Sequence, residues 1–203
     1  MSEATEPYGT GPDSERAELL ALIRQLAVVP GRVTLASGRE ADYYIDLRAV
    51  TLDGHSAPLV GRVMLDLIDD WDFDAVGGLT MGADPVALAM LHAYAHAVHP
   101  VGQPDDGSLP VLDAFVVRKE AKTHGLAKRI EGPAVAGRRV VVVEDTSTTG
   151  ASPLEAVATL REAGATVTGV AVVVDRDGGA REAIEAAGLP YRAAFSLTDL
   201  GLA

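Results

Sequence analysis

Apolar positions recur along this chain with two different periods. From Ser14 onward, Leu19, Leu22, Ile23 and Leu26 return every three or four residues, which predicts a helix over 14–29 with Glu15 and Glu18 near the positive end of its dipole. The pairs Leu59/Val60, Val63/Met64 and Leu67/Ile68 predict a second helix over 56–71, capped by Ser56. Further helices are expected at 84–97, 152–163 and 179–187. Between them lie short apolar runs at 74–78, 112–118, 139–144, 166–174 and 191–196, valine-rich and without polar alternation. Strands of that kind are buried on both faces. Their alternation with helices from position 74 to 196 predicts an α/β fold, a mainly parallel central sheet flanked by helices. Nearer the amino terminus, β-rich pieces at 33–36 and 43–46 around a turn-like 37–42 predict a small antiparallel element. Residues 99–110 read as a surface loop, and 119–133, which lack an apolar period, as a long mobile loop.

Composition narrows the picture further. A chain of 203 residues fits one domain, expected over 14–203, behind a polar, acidic and flexible leader at 1–13. A formal net charge of −12 argues against a broad nucleic-acid footprint, so an anionic ligand has to be met by local charge. There is no cysteine, which excludes disulfides and thiolate metal sites, and no apolar run is long enough to span a bilayer. The expectation is a soluble, cytoplasmic protein.

One stretch carries concentrated chemistry. Residues 140–152 read VVVVEDTSTTGAS, a buried strand ending in two acids, then a run of hydroxyls and a glycine. In an open parallel sheet, ligands bind beyond the carboxyl ends of the strands. Thr146, Ser147, Thr148 and Thr149 supply hydroxyls and N–H groups there, and Gly150 supplies a turn that a Cβ would oppose. Ala151, Ser152 and Pro153 open the next helix, with Pro153 expected at its first position. Such a loop is a cradle for a phosphate. Glu144 and Asp145 would repel that phosphate by about 4 kcal/mol per charge pair at 4 Å for an effective dielectric near 20, so they are expected to face a vicinal diol or a Mg²⁺ ion. Phosphate, diol and cation together describe a sugar phosphate. The absence of a Gly-Lys-Ser/Thr triplet and of spaced glycines weakens the nucleoside triphosphate and dinucleotide readings.

The basic residues are unevenly placed. The chain has 14 arginines but three lysines, and all three, Lys119, Lys122 and Lys128, fall in the loop expected to be mobile. A loop carrying Arg118, Lys119, Lys122 and His124 can close over a polyanion, and a lysine there can also donate a proton. His92 and His96 stand i, i+4 on an expected helix, but no third metal ligand accompanies them, so they read as surface or packing residues.

Taken together, these motifs resemble the orotate phosphoribosyltransferases of bacterial type, over the whole chain from about Ser14. VVVVEDTSTTGAS is similar to the phosphoribosyl pyrophosphate motif of the type I phosphoribosyltransferase superfamily, VRKEAKTHG at 117–125 to the catalytic loop of the orotate enzymes, and LASGREADYYIDLR at 35–48 to their substrate element. The resemblance implies a type I phosphoribosyltransferase fold with a hood built mainly from about 14–50 and the C-terminal end, and a catalytic loop at about 118–133. It implies that Thr146 to Ser152 hold the 5-phosphate of phosphoribosyl pyrophosphate, with Glu144 and Asp145 at the ribose hydroxyls. Thr149, Arg176, Tyr43 and Tyr44 would border orotate, and GGLTMGADP at 77–85 would accept pyrophosphate. Lys122, Lys119, His124 and Arg118 would reach the pyrophosphate, partly across a homodimer, with Mg²⁺ carried mainly by the substrate.

Two departures from that pattern stand out. Ala36 occupies a position where many members have lysine, and Met81 and Gly82 stand where others place a basic residue. The implied reaction is transfer of ribose 5-phosphate to N1 of orotate, with Lys122 nearest the leaving oxygens. A purine phosphoribosyltransferase would share residues 140–152 but not the loop or Asp175–Arg176. A non-catalytic sensor of the donor would need a nucleic-acid-binding segment that this sequence does not offer.

Overall fold

The computed structural model describes residues 11–34, 40–98, 110–120 and 128–202. Helix α1 (Pro12–Leu22) opens with its proline in the first turn, where a missing N–H costs nothing, and with Asp13 and Glu15 beside it. It therefore begins inside the stretch expected to be a leader, of which residues 1–10 lie outside the described residues. The helix expected to run to 29 ends early. Ile23–Ala27 widens into a π-helical turn that keeps Ile23 and Ala27 fully buried and swings Leu26 outward to 36% exposure. Val28 and Val29 then favour extended chain, Val29 doubly so because it precedes Pro30.

Strand β1 (Val28–Thr34) pairs antiparallel with β2 (Glu40–Ile45), so the expected two-stranded element is present with earlier boundaries. Short helix α2 (Arg48–Thr51), not foreseen, leads to α3 (Ser56–Leu67). Ser56 is not its cap. Asp53 Oδ1 accepts the N–H groups of His55 and Ser56, while the Ser56 hydroxyl turns inward and donates to Val50 O at 2.8 Å. The chain already coils at Asp53, whose carbonyl accepts the Ala57 N–H, so the capping oxygen is needed three residues earlier than expected.

The remaining elements are β3 (Ala75–Leu79), α4 (Ala83–Val98), β4 (Asp113–Val117), β5 (Ile130–Glu131), β6 (Arg139–Ser147), α5 (Ala151–Glu162), β7 (Thr166–Asp175), α6 (Ala180–Ala186), β8 (Tyr191–Ser196) and α7 (Leu197–Leu200). Six strands form one sheet in the order β5-β4-β3-β6-β7-β8, parallel except for β5, which runs against β4. The fold class is the expected α/β one. Strand β5 corrects the reading of 119–133 as loop throughout, since two residues are too few to leave a period in the sequence. Strand β6 extends past Glu144 to Ser147, because Thr146 and Ser147 continue the pairing with β7.

The valine runs are explained by burial on both faces. Val141 and Val143 join α1, α3 and α4 in one apolar cluster, while Val140 and Val142 join Val157, Leu160 and Ile184 in the other. All four valines are fully buried, each contributing on the order of 2 kcal/mol. The sheet reverses its strand order between β3 and β6, and the loops leaving their carboxyl ends open a crevice there. The N-terminal segment is fastened to the far end of the chain: Arg16 donates to Ala194 O, Arg24 to Asp199 O and Tyr43 to Leu202 O.

Candidate functional site

Two adjoining cavities occupy that crevice. The smaller, about 180 Å³, is lined by the eight consecutive residues 146–153 at the start of α5. Gly150 sits at φ +78°, and a Cβ there would come within 3.3 Å of Ala180 O, so the expected turn residue is in place. Helix α5 begins at Ala151, which makes Pro153 its third residue rather than its first. The substitution of position is harmless, since none of the first-turn N–H groups has an intrahelical partner. Those free N–H groups and the helix dipole face the space where an anion would sit.

The larger cavity, about 390 Å³, lies between the end of β2, the loop after β3 and the end of β6. Tyr44, Asp46, Arg48, Thr80, Met81, Gly82, Lys119, Glu144 and Asp145 line it, and Thr146 and Ser152 belong to both cavities. The two carboxylates thus open on the larger space, away from the cradle of hydroxyls. Glu144 is 5% exposed, and burial pushes its carboxyl up to about 9, reinforced by the charges of Asp145 and Asp84. Burial also raises Asp145, against the opposing pull of the Thr146 N–H, which donates to Asp145 Oδ1 at 2.6 Å, and of Arg48.

Gly82 explains how two acids fit side by side. A Cβ on Gly82 would lie 2.6 Å from Asp145 Oδ1 and closer still to Glu144 Oε1, so the backbone of the β3–α4 loop presses directly on both carboxylates. Thr80 braces that loop: its N–H donates to Val117 O at 2.8 Å and its hydroxyl to Asp84 Oδ2 at 2.7 Å.

The residues singled out in the sequence fall into three groups. Glu144, Asp145, Thr146, Ser152, Tyr44 and Lys119 share the larger cavity, and Ser147, Thr148, Thr149, Gly150 and Ala151 the smaller. Arg176 lies just beyond β7, where its N–H donates to Ser147 O at 2.8 Å, and Gly178 packs against Thr148, so that loop abuts the cradle. Tyr43 turns to the opposite face of β2 from Tyr44 and bonds the C-terminal end instead. Arg118 is held at the mouth of the lysine loop, Nε donating to Glu120 O at 3.3 Å. Lys122 and His124 lie outside the described residues. Gly82 and Asp84 lie in the 77–85 stretch and Asp46 and Arg48 in the 35–48 stretch singled out in the sequence, but no individual role was assigned to Asp46, Gly82 or Asp84 there.

Comparison with known proteins agrees over nearly the whole chain. A family model described as phosphoribosyl transferase domain matches residues 55–187. A protein of Streptomyces avermitilis named orotate phosphoribosyltransferase is 63% identical over 191 residues, covering 94% of this chain and 99% of that protein. The crystal structure of Mycobacterium tuberculosis H37Rv orotate phosphoribosyltransferase in complex with Fe(III) dicitrate superposes with a TM-score of 0.79 at 56% identity, covering 93% of this chain and 99% of that one. The same enzyme in complex with 5-phospho-α-D-ribosyl 1-diphosphate gives a TM-score of 0.76 at 53% identity, with the same coverage.

Proposed function

Because this chain belongs to the orotate phosphoribosyltransferases, the enzymes that transfer ribose 5-phosphate from phosphoribosyl pyrophosphate to N1 of orotate, we propose that its two cavities divide the donor between them. The reaction gives orotidine 5'-monophosphate and pyrophosphate and belongs to pyrimidine biosynthesis. In this reading the smaller cavity takes the 5-phosphate on the N–H groups and hydroxyls of 146–152. The larger takes the ribose diol against Glu144 and Asp145 and the pyrophosphate against the 80–82 loop. The observation that carries the division is the sharing of Thr146 and Ser152 by both spaces, since phosphate and ribose are separated by a single methylene.

Orotate is assigned to Arg176, Thr149, Tyr44 and the backbone at Tyr43. The bond from the Arg176 N–H to Ser147 O supports this, because it holds the arginine at the edge of the cradle. As the C1–O bond breaks, positive charge grows on the ribose and negative charge on the departing pyrophosphate. Catalysis then consists of holding that charge and excluding water, with no protein nucleophile. Lys122 is assigned to the leaving oxygens, with Lys119, His124 and Arg118 beside it.

Two carboxylates are too few ligands to hold Mg²⁺ alone, and no cluster of three or more metal-ligating side chains occurs among the described residues. The pair fits an ion carried in on the donor's own oxygens and met, directly or through water, by Glu144 and Asp145. When bound, it supplies neutralisation of the pyrophosphate. A homodimer with shared sites completes the assembly. Leu52 and Leu88, each more than half exposed and lining one surface cavity, support a further covered face. No helix among the described residues is long and apolar enough to cross a membrane. A multiply charged donor, unable to cross a bilayer unaided, supports a cytoplasmic site.

The test is loss of orotate absorbance on adding phosphoribosyl pyrophosphate, with and without Mg²⁺. No loss under any condition refutes the reading.

A further inference from the structure

Pyrophosphate is a dense polyanion, yet the loop assigned to it offers only Leu79, Thr80, Met81 and Gly82, none of them basic. Among the described residues lining the larger cavity, the cations are Arg48 and Lys119. Lys119 belongs to the lysine loop. Arg48 comes from a different part of the chain, the first residue of α2, and the sequence offered it only as a neighbour, with Arg39, able to make up for a missing cation.

Its guanidinium is held in one orientation. Nε donates to Asp46 Oδ1 at 2.7 Å and Nη2 to Asp46 Oδ2 at 3.1 Å, a fork-on-carboxylate pair, and the Arg48 N–H adds a third bond to Oδ1 at 3.2 Å. Asp46 is itself fixed, its N–H donating to Ala27 O at 2.9 Å. The fork uses two of the five guanidinium N–H groups, and among the described residues no second side-chain partner takes the other three. The side chain is 45% exposed and therefore reachable by a ligand. Arg48 also feels the charge of Asp145 across the cavity.

We propose that Arg48 binds the pyrophosphate group of the donor and of the product, as a guanidinium prepositioned by Asp46. The proposal rests on the reading that the larger cavity accepts pyrophosphate, and it adds a cation that comes from an element other than the lysine loop. A planar fork with three unused donors suits bidentate bonding to phosphoryl oxygens, and its orientation is set before the ligand arrives. Asp46 is thereby a positioning residue, acting through Arg48.

The test is titration of inorganic pyrophosphate, with Mg²⁺ present, into the wild type, Arg48→Gln, Arg48→Lys and Asp46→Asn, alongside forward kinetics. Loss of one charge-assisted bond in Arg48→Gln is expected to weaken pyrophosphate binding at least about ten-fold and to raise KM for the donor alike. KM for orotate is expected to stay within about two-fold. Arg48→Lys should fall between, keeping the charge and losing the fork, and it carries the same test should Arg48→Gln be unstable. Asp46→Asn should weaken pyrophosphate binding less than Arg48→Gln, because the guanidinium remains but is no longer pinned. A wild type that turns over orotate normally while Arg48→Gln binds pyrophosphate within two-fold of it overturns the role of Arg48 alone. A wild type with no turnover overturns the functional reading instead.

Discussion

Replacing Glu144 by glutamine is expected to make the protein more stable and less able to bind its donor. The ordinary glutamate value is 4.5, and burial lifts Glu144 to about 9. Below pH 4.5 the carboxyl is protonated in both folded and unfolded chains, and the site adds no pH dependence. From there to about pH 9 the folded chain keeps a proton that the unfolded chain has released, so stability falls by about 1.4 kcal/mol per pH unit and levels off above. At pH 7 the accumulated cost is about 3 kcal/mol, and at pH 5 less than about 1 kcal/mol. Glutamine never ionises, has the same shape, and can still accept the Asp145 N–H that reaches Glu144 Oε1 at 3.3 Å. For a chain of this length each kcal/mol moves Tm by roughly 2–4 °C, so the variant should melt roughly 6–12 °C above wild type at pH 7 and no more than about 2–4 °C above it at pH 5. Ligand-free thermal melts at the two pH values measure this. A gain that is equal at both, or absent at pH 7, would refute the argument that a desolvated carboxyl is the source. Calorimetric titration with the donor should show binding weakened by about ten-fold or more, because glutamine cannot ionise to give the ribose hydroxyls and Mg²⁺ the anionic oxygen that Glu144 can supply once the donor binds.

Other outcomes follow from the same geometry. Lys122→Ala should lower kcat by about 10²-fold, about 2.7 kcal/mol, with a smaller change in orotate affinity; a near-normal kcat in steady-state assays removes Lys122 from the leaving-group role. Gly82→Ala should raise the donor KM at least about ten-fold with a Tm loss of only a few degrees, since the added Cβ displaces two carboxylate ends rather than backbone. Mixing Lys122→Ala and Glu144→Gln protomers after subunit exchange, assayed at donor concentrations too low to fill Glu144→Gln sites, should restore about a quarter of wild-type activity if each loop serves the neighbouring site, because half the dimers then carry one intact site. No recovery after confirmed exchange would place Lys122 and Glu144 in the same subunit's site.

The sheet was legible because a parallel strand buried on both faces must be apolar throughout, and Val140 to Val143 or Val170 to Val174 can hardly be read otherwise. The phosphate cradle was legible for a related reason: its parts are contiguous, from Glu144 to Ser152, so one stretch of chain carries acids, hydroxyls and glycine in order. What the sequence hid was assembled through space. Gly82 gives no sign that it presses on Glu144 and Asp145, and Arg48 no sign that it shares a cavity with Lys119. The π-helical turn was hidden differently, since Leu19, Leu22, Ile23 and Leu26 fit an ordinary helix until one extra residue in the turn rotates Leu26 away from the core. The capping oxygen at Asp53 and the helix start at Ala151 were displaced by side-chain and glycine geometry that periodicity does not register.

The bonds from Arg16, Arg24 and Tyr43 to Ala194, Asp199 and Leu202 bear on how the chain reaches its final shape. They join partners 178, 175 and 159 residues apart, so closing them is among the slowest and most entropically expensive steps available to this molecule. During synthesis, α1 can pack on α3 as soon as that helix emerges, with Arg62 donating to Glu15, but the three bonds to β8, α7 and Leu202 wait until the end of the chain has left the ribosome. The central sheet can assemble before that, and the segment made earliest gains its final fastening last.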